Sequence, residues 1–301
     1  MTRSFTGLAA ALAAALVFGA PVRSHAQDDP KTDKDKKEAA APAPAPTPAA
    51  TTQSEDDAVL KLAEPDFTLI SLPTSLRLPK YKSAFRVTHR FTRPLSCDAC
   101  GNSLLEDAFG LDSGAVIGLE YRFGIMRNLE VGLHRTSGKT IEFFGQYGVA
   151  RQGQKLPVEV SALAAIDGTN NFKDSYSPSL GLIVSRLIGD RAALYVEPIW
   201  VNNTNPLPKE VVDHNNTFMI GVGARVRLSS TVYVVGEIVP RPAGFRPGVN
   251  HGSFGIEKRA GGHMFQLNFS DSFGTTLDQL ARVALTSKDW YLGFNITRKF
   301  F

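Results

Sequence analysis

A set of glutamates and arginines falls on one face of a succession of extended segments, and that juxtaposition is the main chemistry this chain offers. Glu120, Glu130, Glu142, Glu159, Glu197, Glu237 and Glu257 share a side with Arg86, Arg90, Arg122, Arg225, Arg227 and Arg259. Enclosed together, such groups either neutralise one another in an ion-pair network or line a path for polar solutes. Near-balanced signs favour the network over a strongly ion-selective pore. Cys97 and Cys100, in Ser96-Cys-Asp-Ala-Cys-Gly101, are spaced for a loop disulfide in an oxidising compartment, ahead of free thiols, metal binding or catalysis. The motif lacks the following His of haem attachment and the βαβ setting of a thioredoxin site. His89 and His263 fall on the opposite, apolar face, where no serine pairs obviously with either, so nucleophilic catalysis is not expected. Cys97, Cys100, His214 and His251 are placed in loops on one side but too scattered for recognisable ligand spacing, so neither metal nor cofactor is expected.

The elements that would position these residues are strands. Period-2 alternation places them near 84–93, 115–124, 128–136, 139–149, 156–166, 177–187, 191–201, 216–228, 231–239, 253–259, 263–270 and 289–300. Each is about ten residues, enough to cross a hydrocarbon layer when tilted. In the second, Ile117, Leu119, Tyr121 and Phe123 oppose Gly118, Glu120, Arg122 and Gly124; in the last, Trp290, Leu292, Phe294 and Ile296 oppose Tyr291, Gly293, Asn295 and Thr297. A charge facing lipid costs about 2–4 kcal/mol at the midplane, so the charged faces must point inward. Inward glycines (Gly118, Gly132, Gly221, Gly223, Gly293) leave room for a path, a plug or bulky neighbours.

Connections alternate between short turns and long polar loops, the exception being the short 136–139 link. Short periplasmic turns and long external loops mark outer-membrane barrels. The expected fold is therefore all-β: a closed antiparallel up-and-down transmembrane β-barrel of about 12 strands, with both termini periplasmic. The last long loop carries helical spacing over 275–285 behind a Thr cap, predicting a short external helix. Tyr121, Phe123, Trp200, Trp290 and Phe300 sit near strand ends, as interfacial girdles do.

Ahead of the barrel (84–301), residues 1–26 read as a signal peptide, with Arg3, an apolar run to Ala20 and small residues around Ala26. Residues 27–57 form a charged, Ala/Pro-rich linker that cannot bury enough apolar surface to fold, and is expected to be disordered. Residues 58–83 are transitional, broken by Pro65, Pro73 and Pro79, and suit either a strap across the periplasmic mouth or a partial plug. Net charge is +4, but the basic residues are scattered among acids, which argues against nucleic acid.

Phe85-Arg-Val-Thr-His-Arg-Phe91, Phe109-Gly-Leu-Asp-Ser-Gly114 with Leu119-Glu-Tyr121, and Tyr291-Leu-Gly-Phe-Asn-Ile-Thr-Arg-Lys-Phe300 resemble a family of bacterial membrane-bound β-barrel proteins known only as a domain of unknown function. The resemblance spans roughly Leu69 to Phe300, implies a barrel, and brings no activity or functional residues with it.

The leading functional expectation is passive transport or uptake of small solutes across the outer membrane. The alternative is a structural or docking barrel that holds a periplasmic or surface partner, for instance through the linker; a barrel-embedded lipid hydrolase ranks third. The expected partners are outer-membrane lipid and, during biogenesis, the barrel assembly machinery. That machinery reads an outward C-terminal aromatic, and the apolar register here reaches Phe300 rather than Phe301, through a one-residue shift or a local irregularity.

Overall fold

In the computed structural model, which describes residues 62–96, 114–154, 156–205, 215–245, 249–282 and 289–301, the alternation becomes a closed ring. Its strands are β1 (Ser83–Phe91), β2 (Ala115–Met126), β3 (Leu129–Thr136), β4 (Ile141–Ala150), β5 (Glu159–Gly168), β6 (Asp174–Ile188), β7 (Ala192–Asn202), β8 (Asn216–Arg227), β9 (Val232–Val239), β10 (Ala243–Gly244), β11 (His251–Ala260), β12 (His263–Ser270) and β13 (Tyr291–Phe300). All pairings between them are antiparallel. β1 joins both β2 and β13, β8 joins β9, and β9 joins β11, so every wall strand has two neighbours and no edge is left open. β10 is an addition to the twelve-strand ring: the chain leaves β9 at Pro240 and pairs again with the far end of β8.

Sequential strands meet at short turns on one rim, where Asn128, Gly189 and Gly261 take φ of 67°, 53° and 58°. Ser83 pairs with Phe300, so the two ends of the barrel wall lie on this same rim. The link after β5 is tighter than the expected 167–176 loop. β5 and β6 run on towards each other and leave a turn at 169–173, with Asn170 and Asn171 at positive φ.

Exposure alternates along each strand as the sequence requires. In β2, Leu119 and Tyr121 are each 46% exposed while Glu120 and Arg122 between them are buried. Alternation runs unbroken through β13 to an inward Lys299 and an exposed Phe300, so Phe300 is the last outward wall residue and no irregularity restores Phe301 to that phase. The Cys97/Cys100 pair, His214, the signal peptide and the linker lie outside the described residues.

Part of the inner wall is apolar. β5 to β9 turn Leu163, Ile183, Tyr195, Ile199, Met219 and Val235 inward, and these pack into one buried cluster with Leu69, Ile70 and Leu72 from ahead of the barrel and with Leu277, Leu280 and Ala281 from the last long connection. Water cannot be the filling of such a wall, because apolar surface left wet costs about 25 cal/mol per Å². Two chain segments fill it instead.

The first is a hairpin within Leu62–Pro79. It enters from the short-turn rim and closes on Leu69 N–H to Leu72 O (2.8 Å) and Thr74 N–H to Phe67 O (2.9 Å). It then returns to the rim before β1, so residues 63–79 of the transitional segment are buried inside the barrel. The second corrects the expected external helix. Helix α1 (Leu277–Arg282) is present but folds into the lumen, burying Leu277, Asp278, Leu280 and Ala281 against β5 to β8. Helical spacing alone suits a helix in an external loop, but the apolar inner wall offers its apolar positions a larger burial.

The inward glycines acquire a purpose here. A Cβ on Gly223 would lie 2.2 Å from Leu69 Cδ1, and one on Gly221 2.8 Å from Leu72 Cδ1. Gly223→Val should therefore overpack the tip and destabilise the folded protein by about 1–3 kcal/mol, read as a lower urea midpoint, whereas Gly145→Val, where the nearest atom is 3.8 Å away, should change it much less.

Candidate functional site

The lumen is the site, built from inward side chains of strands far apart in sequence. Among these inward side chains the arginines and glutamates pair. Arg86 meets Glu120 at 3.3 Å, Arg122 bonds both Glu120 and Glu130 (2.8 Å to the latter), and Arg225 grips Glu257 with Nε and Nη2 at 2.7 and 3.0 Å. Glu159 pairs at 3.2 Å with Arg77, which comes from the hairpin and not from the wall.

Arg227 and Arg259 are corrections. They have inward parity but stand at the last or next-to-last strand position before their turns, partly exposed at the rim. There Arg227 bonds Ser229 O (3.0 Å) and Asp190 O (3.4 Å), and Arg259 bonds Ser230 O (3.4 Å). Parity sets the face but not the depth, and at the rim a guanidinium is satisfied by turn carbonyls and water. His251 is likewise not a loop residue. It opens β11, buried, with Nδ1 2.8 Å from Asp271 and Nε2 3.5 Å from Glu237. His89 stacks on Phe294 (4.7 Å between centroids), and His263 contacts Arg298 (3.1 Å); among the described residues neither bonds a serine.

The remaining carboxylates hold backbone. Glu237 accepts the N–H groups of Ile70 (3.0 Å), Ser71 (2.8 Å) and Leu72 (3.1 Å), the three amides at the hairpin tip, and also the Ser253 hydroxyl (2.9 Å). Glu130 accepts Leu78 N–H at 2.9 Å where the hairpin leaves. On the other insert, Glu142 accepts Leu277 N–H (3.0 Å) and Asp167 accepts Asp278 N–H (3.3 Å), satisfying first-turn amides of α1 that have no partner within the helix.

Tip carbonyls are held from the same wall. Leu69 O accepts from Gln266 (2.7 Å), Ile70 O from Arg86 and Asn295 (3.0 Å each), and Thr68 O from Arg225 (2.6 Å). Asp167, Gln146, Gln266 and Asn295, also holding the inserts, are not among the charged site candidates; all four lie at inward parity, the signal that could find them. The two inserts meet where the Ser71 hydroxyl donates to Gly274 O at 3.3 Å. A cavity of about 30 Å³ between Thr68, Glu142, Gln146 and Leu277 has room for about one water.

Two predicted site residues are not used in these contacts. Glu197 is fully buried beside Gly221, with neither carboxylate oxygen hydrogen-bonded. Arg90 is fully buried and spends only Nη1, on Asn295 Oδ1 (2.9 Å) and His89 O (3.1 Å). Arg225 is the opposite case, tying β8 to β11 and to the hairpin at once. Arg225→Met leaves Glu257 charged, buried and unpaired, and should cost about 3–5 kcal/mol of stability in urea unfolding, against a small effect for Arg227→Met at the exposed rim.

Residues 66–300 match the model of a family described as a membrane-bound β-barrel domain (DUF5777). Among solved structures, the NanC porin is similar at a TM-score of 0.50 and 6% identity, covering 73% of this chain and 100% of that one. The COG4313 outer membrane channel from Pseudomonas putida F1 is similar at a TM-score of 0.47 and 10% identity, covering 74% of this chain and 97% of that one. These likenesses concern the fold. No curated protein matches the chain.

Proposed function

The chain belongs to this family of membrane-bound β-barrels, and on that footing we propose that it is an outer-membrane barrel for passive passage of small solutes, held shut by its two inserts. Its short-turn rim faces the periplasm, so that the hairpin enters from that side and α1 from outside. The observation that carries this reading is how the lumen is closed. The obstruction consists of two segments that are not wall strands, held by hydrogen bonds and apolar contact, with the Ser71–Gly274 bond where they meet. The wall closes without them, as its twelve mutually paired strands require no residue of either insert.

A solute moving through a cleared lumen would pass inward arginines and glutamates together with the apolar side chains of β5 to β9. The second reading, a structural or docking barrel, draws on the same apolar cluster, which would then be a permanent core. Planar-bilayer recording decides between them: steps from purified protein, or from variants lacking an insert, support passage, and silence from all of them supports the docking barrel. The linker and Phe300 are proposed contacts for a periplasmic partner and for the assembly machinery; recovery of the same partners without residues 27–57, or unchanged assembly of Phe300→Ala, would refute each.

A further inference from the structure

Arg90 is a fully buried cation that has been given too little to do. Its neighbour on the strand, Arg86, is neutralised by Glu120 and holds Ile70 O, so it belongs to the plug. Glu237, the acid whose field reaches Arg90, is spent on three tip amides, Ser253 and His251. Arg90 keeps Nε and Nη2 without an acceptor, and among the described residues no carboxylate lies within ion-pair distance of it. A buried guanidinium left in this state is costly unless something anionic meets it.

Its surroundings also hold polar atoms in reserve. Thr88 Oγ1, His134 Nε2 and Asn268 Oδ1 are buried and unbonded. They are grouped by register. Thr88 and His134 both lie over Gly118, within 2.4 Å of where its Cβ would be, while Asn268 Oδ1 and Arg90 Cδ both lie 2.8 Å from where a Cβ on Gly293 would be. Asn295, which takes Arg90 Nη1, also anchors the hairpin tip through Ile70 O. The unspent side of Arg90 therefore sits one inward position beyond the plug tip, towards the long-loop end of the lumen.

We infer that Arg90 is an anion subsite on the solute path, and that it takes a small hydroxylated monocarboxylate. The carboxylate fits the two free donors of the guanidinium fork, and hydroxyls fit Thr88, His134 and Asn268. This rests on the transport reading for its role, although binding itself does not require passage. Because Arg90 is wholly covered, the ligand reaches it only when the lumen filling is displaced.

The test uses the full purified chain in detergent and gluconate as probe, with sorbitol, which lacks the carboxylate, as control. Calorimetric titration should show saturable gluconate binding and none of sorbitol. Binding should weaken about tenfold or more in Arg90→Gln, and less in Arg90→Lys, which keeps the charge but loses the fork. Thr88→Val, a near-isosteric change that leaves Arg90 intact, should weaken gluconate binding by a few fold and guards against misfolding of the arginine variants. Gluconate binding unaltered by Arg90→Gln overturns the site. So does its absence both from the full chain and from a chain with 275–282 replaced by a Gly/Ser linker. Binding without conductance in bilayers leaves the site standing and removes the transport reading; conductance without binding does the reverse.

Discussion

Excising residues 62–79, and in a second variant also replacing 275–282 by a short Gly/Ser linker, should turn a barrel that is silent or nearly so in planar bilayers into one with resolved conductance steps, largest when both inserts are gone. The reason is geometric. Twelve strands enclose a lumen, and among the described residues the tip at Ile70–Leu72 and the loop at Gly274 meet across it. Removing the hairpin alone leaves α1 against β5 to β8, so a partial opening is expected from the single deletion. Both deletions cost stability, because Leu69, Ile70, Leu72, Leu277 and Leu280 are essentially fully buried and each such side chain contributes about 1.5–3 kcal/mol. The barrel should still close, since the wall pairing involves neither insert. Silence from a double variant that retains β-sheet circular dichroism and resistance to SDS would defeat the gating picture.

Glu237→Gln should release the hairpin tip without removing it. The carboxylate serves the amides of Ile70, Ser71 and Leu72 with two oxygens; a glutamine offers one oxygen and turns a donor towards amides that already donate. At least one buried N–H is stranded and charge assistance is lost, at about 1–3 kcal/mol for each stranded group. Docking of the tip should weaken by at least about 1–3 kcal/mol, so its open population rises ~5-fold or more. Hydrogen exchange read on peptides covering 67–76 measures this directly. Protection there should fall, while peptides from β1 and β13 stay as in the wild type. Equal protection in both proteins would show that the apolar cluster alone seats the hairpin.

The strands and their inward faces were legible because a lipid-facing sheet imposes a strict rule. Glu120, Arg122 and Glu130 could point nowhere else, and the predicted strand positions agree with the observed ones to within a few residues. The two-residue β10 was not, since its pairing depends on a return of the chain after Pro240 that has no periodicity. Nor was the fate of α1 legible. Leu277, Leu280 and Ala281 signal an amphipathic turn of helix, but whether that face seeks a loop or a lumen depends on Ile183, Ile199 and Met219, which are strand residues elsewhere. A hint was present in β7, where Tyr195, Ile199 and Val201 face in while Leu194, Val196 and Trp200 face out, so both faces are apolar. A strand apolar on both faces has something packed on each.

By itself, then, the order of residues determined the barrel, its closure and the side on which each ionisable group lies, because alternation is a local property and lipid tolerates only one choice. What each inward group holds was settled by the tertiary structure alone. Glu130 takes Arg122 and Leu78 N–H, Glu142 takes the first turn of α1, Glu237 takes a hairpin tip 165 to 167 residues away, and Arg90 takes almost nothing. A carboxylate can accept from a guanidinium or from a backbone amide. Only the distances fixed by the closed wall select between them.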